Sequence, residues 1–249
     1  MTTIALGYPD TIQHEATAAA VARVLEANDA EVDFVPGARD VVVAQLRAGE
    51  IDMFVSAWLP DIDADLIGGG GDLMALGQLY RPHFTLCVPA VVGDLASIAD
   101  ATPALLSPEI VTPESMVSAV RQAAGAYGLT ERGFTLDVRP DEVAYAHAVG
   151  VIERGEAALL PLPQPHFLFH DGRITQLADP LGALGREQVA QIVLSRAVRD
   201  TLDSDLLDEL DELTLGNKVI SALDCAMRRE GLSAEAAAES WQRGRLLPR

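Results

Sequence analysis

Gly-Glu-Ile-Asp-Met-Phe-Val-Ser-Ala-Trp-Leu-Pro, residues 49–60, has a counterpart further along the chain. In each segment an amphipathic helical stretch ends at Arg-x-Gly-Glu or Arg-Gly-Glu, an apolar run follows, and a proline-containing turn closes it, at 47–60 and at 154–165. Two similar units predict two similar lobes. The carboxyl end of a buried parallel strand is where an open α/β sheet presents ligand-binding side chains. We therefore expect Trp58 and His166 on facing lips of a single cleft.

Composition limits the partners of this chain. It has 249 residues, 49% of them hydrophobic, and a net charge of -19. This length can bury an ample core, in one large domain or two small ones. No apolar run approaches the roughly 20 residues that a membrane-spanning helix needs. Nucleic acids and anionic membrane surfaces both attract clustered Lys and Arg, so the charge argues against them as partners, and we expect no direct membrane insertion.

Cysteine and histidine spacing predicts neither a metal site nor a cofactor. Cys87 and Cys225 lie far apart in apolar surroundings, so two buried thiols are favoured over a disulfide, which the sequence leaves open. The pair His166 and His170 is spaced four apart, but no carboxylate or third ligand is fixed nearby. We therefore expect no metal there.

The amino terminus reads directly into a strand. Met1-Thr2-Thr3 precedes the apolar residues 4–8, and no basic region, apolar core and cleavage site of an export signal is present. We expect one of two situations: a cytoplasmic chain, or an export signal that lies outside the sequence given.

The first part of the chain alternates strands and helices. We predict strands at 4–7, 32–35 and 51–57, with a first helix capped by Asp10 or Thr11 and a second ending at Gly49 in the left-handed conformation. Such a βαβαβ unit forms an open twisted sheet with right-handed crossovers. The glycine run at 68–71 lacks a following Lys-Ser or Lys-Thr, so we expect a flexible surface turn and not a phosphate loop.

The middle of the chain predicts a second, smaller α/β unit. We expect a strand over 84–92 that passes from one lobe to the other at Pro89, because proline cannot donate to a central ladder. A helix beginning at Thr112-Pro113-Glu114, a strand at 134–138, a helix from 141 to 152 and a strand at 157–160 follow. Beyond His166 the chain should return to the first lobe, with a strand at 174–177 and three helices. The predicted lobes are 1–89 with 167–249, and 90–166.

Five short motifs, taken in order, carry a resemblance to a known family. They are Gly-Glu-Ile-Asp with Trp-Leu-Pro (49–60), Leu-Cys-Val-Pro-Ala (86–90) with Ser-Ile-Ala-Asp (97–100), Ala-Tyr-Gly-Leu (126–129), Pro-His-Phe-Leu-Phe (165–169) and Leu-Ala-Asp-Pro (177–180). The chain resembles the substrate-binding proteins of glycine betaine, proline betaine and choline ABC importers. The resemblance implies an α/β type II periplasmic-binding fold with two lobes, each an open, mostly parallel sheet flanked by helices, and a ligand cleft between them. It also implies a permease partner and a periplasmic or cell-surface location.

The same resemblance implies an aromatic box that holds a quaternary ammonium group through cation–π attraction, and a histidine or backbone amides that hold the ligand's carboxylate. Trp58 matches a tryptophan of the box. His166 matches the histidine of the family's Trp-x-Pro-His-Trp motif, Phe167 replaces its last tryptophan, and Pro163 stands at its first. Since Trp241 is the only other tryptophan and its amphipathic context predicts core packing, a cage of three tryptophans is excluded.

Other side chains are candidates to rebuild the lost walls and charges. Tyr8, Tyr80, His83 and Phe84 are candidate aromatic walls. Carboxylates beside such a wall, at Asp61, Asp63 and Glu109, could hold a ligand cation by charge. The simpler alternative is that these three acids are solvated residues on the rim.

We interpret the chain as a solute-binding protein that delivers a small zwitterionic or cationic compound to an ABC importer. The alternatives are a cytoplasmic enzyme and a ligand sensor on the same fold. The sequence shows no nucleophile–base pair, no paired carboxylates at strand ends and no phosphate cradle, which argues against the enzyme.

Overall fold

The computed structural model describes residues 2–67 and 71–248, so the predicted glycine turn lies outside the described residues except for Gly71. Contacts divide the chain into two compact units: unit 1 comprises Met1–Pro82 and Gln188–Arg249, and unit 2 comprises His83–Glu187. None of the described helices is long and apolar enough to cross a bilayer.

The elements alternate for most of the chain. The strands are β1 (Thr2–Pro9), β2 (Ala30–Gly37), β3 (Met53–Leu59), β4 (Leu73–Tyr80), β5 (His83–Pro89), β6 (Glu109–Pro113), β7 (Thr135–Arg139), β8 (Leu160–Gln164), β9 (Ile174–Gln176) and β10 (Val189–Ser195). The helices are α1 (Ile12–Ala27), α2 (Arg39–Ala48), α3 (Ala64–Ile67), α4 (Val117–Ala126), α5 (Asp141–Arg154), α6 (Phe167–His170), α7 (Arg196–Arg199), α8 (Ser204–Glu212), α9 (Asn217–Glu230) and α10 (Ala234–Gln242).

Unit 1 is built on a five-stranded sheet in the order β2-β1-β3-β10-β4. β1 runs parallel to β2 and β3, which confirms the predicted βαβαβ unit. β10 pairs antiparallel with both β3 and β4, and the sequence analysis predicted neither β4 nor β10. The sheet is therefore mixed, with the predicted parallel order confined to its first three strands.

Local sequence signals fix the helices of unit 1. The Thr11 side chain accepts the His14 amide and caps α1, and Gly49 ends α2 in the left-handed conformation with φ 72°, both as predicted. A Cβ atom on Gly7 of β1 would overlap the side chains of Ile51 and Val42, which would have to move to admit a larger residue. The sheet and α2 are thus closely packed at this point.

Unit 2 contains a three-stranded antiparallel sheet, β8-β5-β9, and a parallel pair, β6-β7. Three of the motifs in the family resemblance, at 97–100, 126–129 and 177–180, hold its loops together. The Ala178 carbonyl accepts the Ile98 amide at 3.1 Å. Asp179 accepts the Tyr127 hydroxyl at 2.5 Å and the Leu184 amide at 2.8 Å. These residues therefore serve the architecture of unit 2.

Three predictions about the course of the chain are corrected. The strand expected at 84–92 ends at Pro89 and lies within unit 2, since β5 pairs with β8 on one side and β9 on the other. The strand predicted at 174–177 therefore also belongs to unit 2 and not to the first lobe. Thr112 does not cap a helix: it lies in β6, its hydroxyl donates to the Ile110 carbonyl, and α4 begins only at Val117 after a 3-10 turn.

The limits of the two compact units differ from the predicted lobes. The sequence placed boundaries after 89 and after 166, whereas contacts place all of β5 and the segment 167–187 in unit 2. The reason is strand pairing, because β9 can complete its hydrogen bonds only beside β5.

Candidate functional site

Trp58 lies near the carboxyl end of β3, at the sheet edge where parallel strands present ligand-binding side chains. Only 9% of its surface is exposed. β1 ends at the same edge, because it runs parallel to β3, and the loop after β1 leads directly into α1. The first turn of α1 therefore comes close to the indole.

A β-bulge aims Trp58. Ser56 has φ 70°, a left-handed conformation that is uncommon for a residue other than glycine, and the β3–β10 register shifts opposite it between Gln191 and Val193. Bulges of this kind re-aim the side chains that follow them and are common beside functional sites. The strained Ser56 also supplies a hydroxyl to the hydrogen-bond network around Tyr80.

The hydroxyl of Tyr80 holds the edge of the indole. It accepts Trp58 Nε1–H at 3.1 Å and Gln13 Nε2–H at 3.2 Å. The Tyr80 hydroxyl is also hydrogen-bonded to the hydroxyls of Ser56 and Thr17, and in the Ser56 pair either oxygen can donate. Burial raises the pKa of Tyr80, so the phenol stays protonated. Tyr80 thus supports the Trp58 indole through its hydroxyl.

The carboxylate of Asp63 holds the backbone of Trp58. It accepts the Trp58 amide at 2.6 Å and is paired with Arg39. Asp63 is buried, whereas Asp65, which binds the same arginine at 2.6 Å, is exposed. Asp63 therefore anchors the turn after β3, and its buried carboxylate is not exposed to a ligand cation.

Asp61 is also committed to local structure. Its amide donates to Gln188 Oε1 at 2.7 Å, and its carboxylate accepts Gln188 Nε2–H at 2.9 Å. Gln188 is buried at the start of the segment that leads into β10. The pair fixes the turn that contains the cis peptide Leu59–Pro60.

His14 is a neighbour of Trp58 that the sequence analysis did not select. The imidazole stacks on the indole with ring centroids 5.9 Å apart and planes at 25°. Its Nδ1 is hydrogen-bonded to the Thr11 hydroxyl at 2.7 Å. Burial lowers the pKa of His14 to about 4, so the ring is neutral at physiological pH.

The other predicted aromatic walls have packing or charged neighbours of their own. Tyr8 packs edge-on against Phe34, and burial with the nearby carboxylates of Glu15, Asp10 and Glu235 raises its pKa to about 12. Phe84 is in unit 2, where it packs against the hydrophobic core. His83, at the start of β5, lies 3.9 Å from Glu187.

In unit 2, His166 follows the cis peptide Gln164–Pro165 and forms the N-cap of α6. The ring is 3% exposed, and Nδ1 accepts the Leu168 amide at 3.4 Å. Its neighbours are Tyr145 of α5, with centroids 4.6 Å apart, and Phe167, at 4.4 Å. The structure thus brings His166 and Phe167 together and adds Tyr145, which the sequence analysis missed.

Pro163 and Glu109 take positions of different kinds. Pro163 is buried in β8 and pairs with Phe84 of β5, so the position of the missing tryptophan is part of a sheet. Glu109 is the exposed first residue of β6, and so lies at the opposite end of that strand from the carboxyl edge. It is a poor candidate for a ligand contact at that edge.

One general signal would have found the missed residues. His14 and Gln13 belong to the first turn of the helix that follows β1, and Tyr145 belongs to the first turns of the helix that follows β7. In an open α/β sheet the amino ends of such helices lie at the carboxyl edge, together with the ligand-binding residues. The described residues contain no group of three or more His, Cys, Asp or Glu side chains arranged to hold a metal ion.

The family comparison covers nearly the whole chain. Residues 2–243 match the model of the substrate binding domain of ABC-type glycine betaine transport systems. No curated protein sequence matches the chain.

Solved structures share the fold at low sequence identity. Lactococcal OpuAC, closed and complexed with glycine betaine, has a TM-score of 0.79 and 19% identity over 98% of this chain and 96% of its own. The glycine betaine/L-proline-binding protein ProX of Borrelia burgdorferi has a TM-score of 0.74 and 21% identity over 96% and 92%. A choline-binding protein in complex with choline has a TM-score of 0.72 and 18% identity over 97% and 88%. The likeness confirms the predicted α/β fold of type II periplasmic-binding proteins.

Proposed function

Because the chain belongs to the family of substrate-binding domains of ABC-type glycine betaine transport systems, we propose that it binds a small quaternary ammonium or zwitterionic solute of the betaine and choline class. In this proposal the bound solute is handed to the permease of an ABC importer. The chain then acts on the side of the membrane from which the importer collects its solute, in the periplasm or at the cell surface.

The observation that supports this ligand class is the fixed indole of Trp58. Its edge is bound to Tyr80 and its amide to Asp63, so the ring is held in one orientation before any ligand arrives. A cation placed over a tryptophan face gains from about 0.5 kcal/mol when exposed to about 2 kcal/mol when desolvated. A pre-positioned ring gains more net affinity, because binding does not have to immobilise it.

We assign the remaining contacts by chemistry. Trp58 is the proposed contact for the cationic group. In unit 2, His166, supported by Tyr145 and Phe167, is the proposed donor to a ligand carboxylate. Tyr80, Asp61 and Asp63 are proposed to act through Trp58 and its turn. Tyr8, Phe84 and Glu109 are not retained as ligand contacts.

Isothermal titration calorimetry tests the ligand class. Glycine betaine, proline betaine, choline, carnitine and a set of amino acids are titrated into the full chain. We expect saturable 1:1 binding of at least one quaternary ammonium compound, and its loss of affinity in Trp58→Ala. Binding confined to primary amines or amino acids would contradict the proposal.

The permease and the location are tested separately. Co-reconstitution with the importer encoded nearest to this chain should give ATP hydrolysis that depends on both the protein and its solute. Cell fractionation should place the protein outside the cytoplasmic membrane. A chain that remains in the cytoplasm and alters the solute chemically would favour the alternative of an enzyme, and one that does neither would favour a sensor.

A further inference from the structure

Three features of the described residues have no role in the proposed function so far: the acidic groove along α2, the partly buried His170 of the short helix α6, and His14, which stacks on Trp58. The groove is lined by Val41, Ala44 and Ala48 between Asp40 and Glu50, and nothing in the structure indicates what covers it. Among the described residues, His170 belongs to no group of three or more His, Cys, Asp or Glu side chains that could hold a metal ion. The His14–Trp58 pair is different, because it joins a titratable side chain to the aromatic ring that carries the proposed function.

We propose that His14 is a positioning residue whose neutral imidazole backs the Trp58 indole and makes the site selective for cationic ligand groups. The inference rests on the proposed function, since it concerns how Trp58 attracts a cation. It assigns to a residue of α1 a role that the family resemblance does not give.

Ring geometry carries the first step. The His14 and Trp58 centroids lie 5.9 Å apart with the planes at 25°, within the distance at which a cation interacts with an indole. A neutral imidazole at this distance is one more aromatic surface. An imidazolium at the same distance is itself a cation, so it would interact with the indole in competition with the cationic group of a ligand.

The second step concerns what keeps the imidazole in place and uncharged. Nδ1 is tied to the Thr11 hydroxyl, which also caps the helix by accepting the His14 amide. Among the ionisable groups nearby, Glu15 follows His14 in the chain, Asp10 and Glu235 act on Glu15, and Tyr80 is hydrogen-bonded to the preceding Gln13. Burial is nevertheless the cause that lowers the pKa of His14 to about 4.

Protonation of His14 should change the affinity for a cationic ligand in one direction. Below pH about 4 the folded protein carries a positive His14 against Trp58, which repels a cationic ligand. Affinity for such a ligand should therefore fall as pH falls through about 4, while affinity for a neutral compound of the same shape should not. A protonated His166 would have the opposite effect on a ligand carboxylate, so the His14 contribution must be isolated by substitution.

Permanent charge at position 14 gives the sharpest test. Choline and its neutral isostere 3,3-dimethylbutanol are titrated at pH 7 into the unmodified protein, His14→Gln, His14→Phe and His14→Lys. Glu15→Gln is the matched control, because it changes the net charge on the same helical turn without facing Trp58. For two positive charges about 7 Å apart near a protein surface, at an effective dielectric constant of about 20, we expect His14→Lys to bind choline roughly fiftyfold more weakly than His14→Gln. The isostere should bind both variants alike, and Glu15→Gln should bind choline as the unmodified protein does.

Equal choline affinities in His14→Lys and His14→Gln would overturn the inference, as would an equal loss in Glu15→Gln. A ligand-free readout keeps it separate from the proposed function. Imidazolium quenches indole fluorescence more strongly than imidazole, so Trp58 fluorescence should fall with a midpoint near pH 4 that is absent in His14→Gln and retained in Trp241→Phe. A midpoint near the ordinary histidine pKa would overturn the inference. Failure of every quaternary ammonium compound to bind the unmodified protein would instead overturn the proposed function.

Discussion

The two echoing segments share a backbone and differ in how they hold their functional side chain. In each, a helix ends at a left-handed glycine, Gly49 with φ 72° or Gly155 with φ 65°, a strand follows, and the strand leads into a cis X–Pro peptide. In unit 1 the aromatic residue precedes the proline and is held by other residues. In unit 2, His166 follows the proline. Its side chain is fixed by its own hydrogen bond to the Leu168 amide, which caps α6.

This difference shows that one arrangement of the backbone, a terminal glycine, a strand and a cis proline, can present two kinds of side chain. An indole has a single N–H and no acceptor, so Trp58 depends on Tyr80 and Asp63 to fix its orientation. An imidazole has both a donor and an acceptor, so His166 can accept the Leu168 amide with one nitrogen. Unit 1 should therefore be sensitive to substitutions around its aromatic residue, and unit 2 to substitution of the histidine itself.

The largest expected effect is on the stability of unit 1. Asp63→Ala leaves the buried Trp58 amide without its acceptor and removes one of the two carboxylates that bind Arg39. We expect a loss of about 2–3 kcal/mol in the free energy of unfolding, below the full cost of a buried ion pair because Arg39 is partly exposed. Asp65→Ala, which removes an exposed partner of the same arginine, should cost less than about 1 kcal/mol. Urea unfolding of both variants measures the difference. Similar losses would mean that Asp63 is not an anchor of Trp58.

The second effect is on recognition. Trp58→Ala should weaken the cognate solute by about 1–2 kcal/mol, the range of a desolvated cation–π contact. Since Pro163 stands where the family resemblance predicts a tryptophan of the box, we also expect glycine betaine to bind weakly, because a trimethylammonium group without N–H donors depends on aromatic faces. Calorimetry on variants with unchanged circular dichroism gives both values. Glycine betaine as the tightest ligand would show that other residues complete the cage.

The elements that could be predicted are those whose signals are local. Alternating apolar runs, the Thr11 cap and the terminal glycines of α2 and α5 are written within a few residues, and the structure confirms them. β4 and β10 could not be predicted in the same way, because each carries or faces a bulge that breaks its alternation, at Gly77 and opposite Ser56. Their pairing is decided by a partner far away in the chain.

The residues of the candidate site also divide into those with a local sequence signal and those recognised only by their contacts. Trp58 and His166 could be selected because a strand end and a proline mark them in the sequence. The roles of Tyr80 and Asp63 could not, since a buried hydroxyl and a buried carboxylate are assigned to ligand or to structure only by what lies within hydrogen-bonding distance. His14 is marked in the sequence only by its place in the first turn of α1, and its stacking on Trp58 is seen only in the structure.

A third prediction tests whether the two segments use the same device. Gly49→Ala and Gly155→Ala each place a Cβ on a residue with positive φ, where no atoms lie close enough to clash. Each should therefore lose about 1 kcal/mol of unfolding free energy from backbone conformation alone. Gly125→Ala, in α4 with ordinary φ and open space around it, is the control and should be neutral or stabilising. A loss of stability in only one of the two variants would show that the segments are similar in sequence but do not both depend on a left-handed glycine.

The smallest expected effect asks whether the two segments serve one ligand. The expectation that Trp58 and His166 contact the same solute stays a prediction, and a double-mutant cycle measures it directly. Affinities of the unmodified protein, Trp58→Ala, His166→Ala and the double variant give a coupling energy, which we expect to be at least about 0.5 kcal/mol for a zwitterionic solute whose two charged ends are bound together. Choline, which lacks a carboxylate, should show less coupling, because His166 has no anion to bind. Coupling indistinguishable from zero for both ligands would mean that His166 supports the fold of unit 2 and takes no part in recognition.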